Sequence, residues 1–272
     1  MERKKQVLKV KEKKSFDVLV IGGGATGLGI AVDAASRGFS TLLLEQHDFA
    51  KATSSRSTKL VHGGVRYLAQ GDVGLVIHAL HERGRMRRNV PHLVKDMRFV
   101  IGNYRWWERP FYTIGLTVYD VLAGRLGLGR SLPLRRKTVL KEIPALKQQN
   151  LKGGVVYHDG QFDDARLAIT LAQTAVDHGA VCLNYMKVES LLKNKSGRIS
   201  GVVAVDQMTN DTFEIEACAV INATGVFVDN IMKLNGGGSK KRVRPSQGVH
   251  LVVDSKFLGG DSALMIPKTK DG

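Results

Sequence analysis

Apolar and polar positions along the chain first fall into order over residues 16–45. Val18 to Ile21 is an apolar run that reads as a buried parallel strand, and Leu28 to Arg37 is an amphipathic stretch closed by Gly38. Thr41 to Leu44 is a second short apolar run, and it delivers Glu45. Helical spacing returns from about Val73 to Asn89 and stops before Pro91, which cannot continue a helix. From Met97 to roughly Pro144 the period breaks up among paired aromatics, glycines and arginines. That stretch is expected to form a separate layer covering a site, and not part of the sheet. VVYHDGQFDDARL predicts a strand, a turn and a helix capped by Asp163 or Asp164, with Leu167, Leu171 and Ala175 on one face before Gly179. A strand follows around Val181 to Asn184. ISGVVAV and TFEIEACAVI then alternate with period two on either side of MTND, a hairpin pattern. Ala219 to Ile221 runs into the small-residue turn Asn222–Gly225, GGGSKKRVRP (Gly236–Pro245) reads as a linker, and QGVHLVVD predicts one more strand. The chain carries no internal repeat.

The join between the first strand and helix carries chemistry. Gly22, Gly24 and Gly27 satisfy G-x-G-x-x-G, the turn that brings backbone against a pyrophosphate: the first glycine for the bend, the second for close approach, the third for helix–strand packing. The helix start offers unpaired N–H groups and the positive end of its dipole to phosphates. Glu45, at the tip of the second strand, is placed to accept the hydroxyls of an adenosine ribose, and its charge disfavours a 2′-phosphate there. Strand, glycine turn, helix, strand and acid in this order predict a dinucleotide site that does not take NADP.

Composition narrows the class. At 272 residues, 43% hydrophobic and 24% charged, the chain has the balance of an ordinary globular protein. Cys182 and Cys218 have no C-x-x-C partner and read as small buried strand residues; no metal-ligand spacing appears, since His78 and His81 lack a second pair. MERKKQVLKVKEKK has seven Lys/Arg against Glu2 and Glu12 but no apolar core, so it reads as a disordered or weakly amphipathic arm and not a secretory signal. Phe111 to Leu128 is interrupted by Asp120 and Arg125, which argues against a spanning helix. The expected location is the cytoplasm, or a membrane surface on its cytoplasmic face. The net charge of +16 includes RGRMRR at Arg83–Arg88 and Arg135–Lys137. With no nucleic-acid motif beside it, the charge points to anionic lipid or a phosphorylated substrate and not to nucleic acid. NYRWWERPFY, which sets Trp106, Trp107, Phe111 and Tyr112 among Arg105 and Arg109, suits a headgroup interface; a core or pocket-lining role for the two tryptophans fits equally.

Ala52 to Tyr67, ATSSRSTKLVHGGVRY, follows the acidic strand end closely. Hydroxyls at Thr53, Ser54, Ser55, Ser57 and Thr58 can bond phosphates or a flavin edge, Lys59 offers a cation, Gly63 and Gly64 admit a flat ring, and Arg66 can hold an anion. A solvated polar loop would use the same residues. IGGGATGLGIAVDAASRG, LLLEQHDFAKATSSRSTKLVHGGVRYL, YHDGQFDDARL, NATG and QGVHLVV together resemble the FAD-dependent glycerol-3-phosphate dehydrogenases, from Phe16 to the end of the chain. The SSRSTKLVHGGVRYL block is the most specific part of the likeness. Phe227 stands where that family usually has a tryptophan.

The resemblance implies an α/β fold: a Rossmann-like FAD-binding domain of the glutathione-reductase-like, two-dinucleotide-binding type, with part of a β-rich substrate domain. Its boundaries are expected at 16–90 with 155–235 for the FAD domain and 91–154 with 236–272 for the incomplete substrate domain, behind a basic arm at 1–15. It implies extended FAD along Gly22, Gly24, Ala25, Thr26, Gly27 and Glu45, with Thr53, Ser54, Ser55, Lys59, Leu60, His62, Gly63 and Gly64 toward the flavin. Val188, Ala223, Thr224 and Gly225 would complete the adenosine and pyrophosphate contacts. Arg66 and Tyr67 would face the substrate phosphate, and His250 would lie beside the substrate.

The chemistry implied is oxidation of sn-glycerol 3-phosphate to dihydroxyacetone phosphate by hydride transfer to FAD, with a membrane quinone as acceptor. His250 is the candidate base and Arg66 the phosphate clamp; a strand histidine bonded to backbone is the plain alternative for His250. An oxygen-using glycerol-3-phosphate oxidase, a fragment that binds nucleotide without turnover, and an amine or amino-acid oxidase are the competing classes. The 52–67 block speaks against the last. An anionic membrane surface is an expected partner, nucleic acid is not, and a homodimer is left open. Members of that family are considerably longer, and the chain stops at LMIPKTKDG inside what reads as a hairpin. An amino-terminal portion is therefore expected, binding FAD weakly or not at all by itself and turning over slowly or not at all.

Overall fold

The computed structural model describes residues 2–236 and 241–267. Residues 237–240 of the linker-like segment and 268–272 of the terminal hairpin reading lie outside the described residues. In chain order the helices are α1 (Arg3–Glu12), α2 (Ala25–Ser36), α3 (Val65–Ala69), α4 (Val73–Asn89), α5 (Glu108–Ala123), α6 (Arg136–Glu142), α7 (Asp164–Asp177) and α8 (Val228–Leu234). The strands are β1 (Ser15–Ile21), β2 (Thr41–Leu44), β3 (Leu60–Val61), β4 (Val94–Asn103), β5 (Leu132–Arg135), β6 (Gly153–Phe162), β7 (Val181–Leu183), β8 (Met186–Lys193), β9 (Ile199–Asp206), β10 (Thr212–Asn222) and β11 (Ala263–Leu264). They form two compact units, Met1–Ser57 with Asp164–Gly248, and Thr58–Asp163 with Val249–Gly272.

The first unit is a six-stranded sheet in the order β7-β2-β1-β10-β9-β8. Pairing is parallel from β7 through β10 and antiparallel from β10 to β8. All four residues of β2 are buried, as a parallel strand covered on both faces requires. Leu19, Ile21, Leu42 and Leu44 pack on one face with Val202 and Ile215. Val20, Leu43 and Cys182 face α2 and α7. Those helices meet through Ala31, Ala35, Ala168, Ala172 and Ala175, small side chains that let the backbones approach.

The arm expected to be disordered or weakly amphipathic is a docked helix. Val10 and Gln6 of α1 are buried, Gln6 Oε1 accepts from the Cys182 N–H at 3.4 Å, and Arg3 pairs with buried Asp206 at 2.8 Å. The anchoring rests on a few scattered residues, so a weak apolar pattern concealed a real contact. Cys182 is buried as expected, and burial pushes its thiol up to about 12; Cys218, by contrast, is exposed, because it points away from the sheet's packed face.

The second unit centres on the long antiparallel ladder of β4 and β6, which pairs Val94 with Phe162 through to Asn103 with Gly153. β3 and β5 pair antiparallel to β6, and β11 lies parallel to β4. The stretch from Met97 thus lies outside the first unit's sheet, as expected, but it begins in a regular ladder of a second sheet where the pattern had read as irregular. Phe99, Ile101, Val155 and Tyr157 alternate onto one face against Leu116 of α5, while Val100 and Val156 face Val139 and Ile143 of α6 and its exit. Paired aromatics masked this alternation. Residues 58–90, assigned from sequence to the first domain, fold with this sheet because β3 joins β6 and α4 packs on α5.

QGVHLVVD is not a strand. Residues 247–254 have no ladder partner among the described residues, and Val249, Leu251 and Val252 are 82%, 86% and 98% exposed. Alternation supplies a face, but a strand forms only against a neighbour.

Candidate functional site

In the first unit, β1 ends where Gly22 turns with φ +112°, a left-handed value that favours glycine. The turn is packed from two sides. A Cβ on Gly22 would stand 2.6 Å from the Ala223 carbonyl oxygen, and one on Gly27 would run into the Gly22 carbonyl oxygen. The Ala223 N–H in turn donates to the Ile21 carbonyl at 2.8 Å, so the β1 and β10 strand ends bring both small-residue turns to the same sheet edge. That edge is where doubly wound sheets take ligands.

Glu45 Oε2 accepts from the Gly23 N–H at 2.6 Å and Oε1 from the His47 N–H at 2.8 Å. Ser54, in the 3-10 turn Thr53–Ser55, accepts from the Ala25 N–H through Oγ at 2.9 Å. Gly24 is the N-cap of α2, and the Gly24 and Thr26 N–H groups donate to no described group. Two free donors at a helix start and a carboxylate one strand away fit a pyrophosphate with its ribose. Thr224 Oγ1 donates to Asn222 Oδ1 at 2.7 Å, and Gly225 follows at φ +56°. Val188, buried at 7%, sits on β8 opposite Ala204.

In the second unit, Lys59 holds φ +57° just before β3, and its carbonyl accepts from the Phe162 N–H at 2.9 Å. Leu60 and Val61 pair with Gln161 and Gly160, which delivers His62, Gly63 and Gly64 to the start of α3. Gly64 has φ +72°, and its N–H donates to His62 Nδ1 at 3.1 Å. Arg66 and Tyr67 are exposed on α3. His250 is exposed, lies in an irregular stretch, and makes no hydrogen bond or ion pair among the described residues. The strand-bonded alternative for it fails with the strand.

Sequence reasoning missed the polar core of this unit. Arg83, read as part of a basic surface cluster, is 2% exposed and pairs with Asp159 at 2.7 Å. Tyr119 donates to the same carboxylate at 3.1 Å. The signal was present in the helical period, since Val76, Leu80 and Arg83 share a face of α4. Trp106 and Trp107 are 83% and 40% exposed, which removes the core alternative for them.

A mixed sheet with two small-residue turns at its carboxyl edge and an acid after the second strand defines a dinucleotide-binding oxidoreductase fold. The chain belongs to the FAD dependent oxidoreductase family, whose profile matches residues 17–271. The mitochondrial glycerol-3-phosphate dehydrogenase of Schizosaccharomyces pombe is 42% identical over 96% of this chain and 43% of its own length. That of Homo sapiens is 42% identical over 99% of this chain and 39% of its own. The chain thus spans about two-fifths of these curated relatives. The glycerol-3-phosphate dehydrogenase of Bacillus halodurans, solved with FAD, is 37% identical with a TM-score of 0.65 over 86% of this chain and 38% of that one. L-proline dehydrogenase from P. horikoshii, 19% identical with a TM-score of 0.61 over 84% of this chain and 57% of that one, shares the fold.

Proposed function

We propose that the chain is the nucleotide-binding portion of an FAD-dependent dehydrogenase that oxidises sn-glycerol 3-phosphate to dihydroxyacetone phosphate. The observation that carries this reading is the 42% identity to glycerol-3-phosphate dehydrogenases along nearly the whole chain, together with a glycine turn whose geometry fits a pyrophosphate. FAD supplies the hydride acceptor when bound. Gly24 and Thr26 bind the pyrophosphate through their N–H groups, and Glu45 accepts the ribose hydroxyls. The Lys59–Gly64 segment serves the flavin side, with Tyr67 and Arg66 toward the substrate. Arg66 clamps the phosphate with paired charge-assisted bonds and so orients C2, while His250 takes the C2 hydroxyl proton.

A membrane quinone is the proposed acceptor, and an anionic membrane surface the proposed partner. The support is α5. Its inner side packs Leu116, Tyr119 and Ala123, while Phe111, Ile114, Val118 and Val121 lie exposed on its outer side, with Trp107 against Phe111 and exposed Trp106 just ahead of the helix in the chain. Among the described residues no helix is long and apolar enough to cross a membrane. Such a surface suits an interfacial attachment.

The test is an absorption spectrum of the purified protein after FAD reconstitution, followed by anaerobic addition of sn-glycerol 3-phosphate. A flavin band that bleaches supports the reading; a flavin bound by a version extended beyond Gly272 to the length of its relatives, and left oxidised by this substrate, overturns it.

A further inference from the structure

Within the second unit, three elements send polar groups to one buried carboxylate beneath the His62–Gly64 turn. Asp159 of β6 is 2% exposed. Its Oδ1 accepts from Arg83 Nη1 of α4 at 2.7 Å and from the Gly63 N–H at 3.2 Å, and its Oδ2 accepts from the Tyr119 hydroxyl of α5 at 3.1 Å. Arg83 also donates to the His158 carbonyl at 3.3 Å, and its Cζ lies 5.7 Å from the Tyr119 ring centroid. Its Nε has no acceptor among the described residues. Gly63 has no spare room, because a Cβ there would meet Leu80 and the Tyr119 hydroxyl.

Stability alone does not account for this arrangement. A buried ion pair gains little over apolar side chains of the same volume, because desolvating two charges offsets their attraction. What leucines could not do is receive the Gly63 N–H. Burial first, and the Asp159 charge second, push the Tyr119 hydroxyl well above the ordinary tyrosine range, so it remains a donor at any working pH. The carboxylate therefore holds three donors in fixed directions, and one of them is the backbone of the turn.

We infer that Asp159, set in place by Arg83 and Tyr119, is a positioning residue that anchors the His62–Gly63–Gly64 turn and keeps the charge beneath it balanced. The consequence for flavin rests on the FAD reading above; the anchoring does not.

Two measurements test it. In the cofactor-free protein, Tyr119→Phe removes one donor with little change of shape, and Asp159→Asn weakens the acceptor. Loss of about one hydrogen bond speeds amide exchange at Gly63 by about tenfold, with α2 of the first unit unchanged. Unchanged exchange at Gly63 in both variants overturns the anchor. In the FAD-loaded protein, Asp159→Asn leaves the Arg83 cation uncompensated and Arg83→Met leaves the carboxylate uncompensated. The flavin midpoint potential is expected to rise in the first, fall in the second and return toward wild type when both are combined. A pair that merely fills the core gives no shifts of opposite sign, and that result overturns the electrostatic half. A wild-type protein that holds no flavin defeats the FAD reading and the electrostatic half with it, and the exchange measurement still decides the anchor.

Discussion

Glu45 Oε2 accepts a hydrogen bond from the Gly23 N–H at 2.6 Å, so the acid that ends β2 also braces the glycine turn that follows β1. A carboxylate has about four acceptor directions, and the two used on Gly23 and His47 leave others for ribose hydroxyls. Glu45→Gln puts an amide N–H where an acceptor is required. FAD affinity is expected to fall about tenfold, corresponding to one charge-assisted bond. Titration of the cofactor-free protein with FAD, followed by flavin fluorescence, reads this directly; an unchanged affinity removes the ribose role.

Gly27 and Gly29 lie two residues apart on α2 and predict opposite outcomes. A Cβ on Gly27 collides with the Gly22 carbonyl, whereas one on Gly29 meets nothing within 4 Å. Gly27→Ala is expected to destabilise the first unit by several kcal/mol and to abolish FAD binding, since backbone has to move. Gly29→Ala is expected to stabilise by about 1 kcal/mol, the ordinary helix-propensity difference. Thermal unfolding of the two variants side by side checks both, and equal effects would sink the close-packing account.

The docking of α1 predicts a pH dependence. Burial by itself would raise the Asp206 carboxyl, but the Arg3 guanidinium and the Met208 and Thr209 N–H groups outweigh it and hold the group below the usual carboxylate range. A depressed folded value means that the contribution is full above the unfolded carboxylate value of about 4 and is lost as pH falls through the folded one. Arg3→Ala is expected to cost about 1–2 kcal/mol at neutral pH. The gap between variant and parent should close as pH falls through the depressed folded value. A gap that stays constant into acid would show that Arg3 acts through packing and not through its charge.

Arg66 gives the sharpest test of the substrate assignment. Lysine keeps the charge but loses the two-pronged geometry. Arg66→Lys is expected to raise KM for sn-glycerol 3-phosphate by about tenfold or more with flavin content unchanged. Equal loss of flavin and affinity would mean that Arg66 supports the fold and not the phosphate.

The exposed side of α5 predicts lipid binding that depends on both its aromatics and its arginines. Co-sedimentation with vesicles containing anionic lipid should exceed that with neutral vesicles and weaken in salt, and combined Trp106→Ala and Phe111→Ala should reduce it by about tenfold. Binding that ignores lipid charge, salt and both aromatics would leave α5 without this partner.

Most of the first unit was legible because its signals are local. β1, the glycine turn, α2, β2 and Glu45 occupy consecutive residues, each with its own period or special geometry. α4 and the β9–β10 hairpin were legible for the same reason. The second unit was hidden because its sheet pairs β4 with β6 across some fifty residues, and no local pattern reports such pairing. Arg83 shows the limit most clearly. Beside Arg85, Arg87 and Arg88 its residue type reads as surface, and only Asp159, far along the chain, converts it to core. His250 fails in the other direction, since its run has the alternation of a strand without an edge to join.

One carboxylate that receives α4, α5 and the Gly63 backbone has a kinetic meaning. A surface turn ordinarily exchanges its amide hydrogens by small local openings, independent of the interior. Here the Gly63 N–H is held by Asp159, and Asp159 is held in turn by Arg83 of α4 and Tyr119 of α5. A turn residue should therefore exchange at the pace of the second unit's slowest core amides, and so act as a reporter of that unit's cooperative opening.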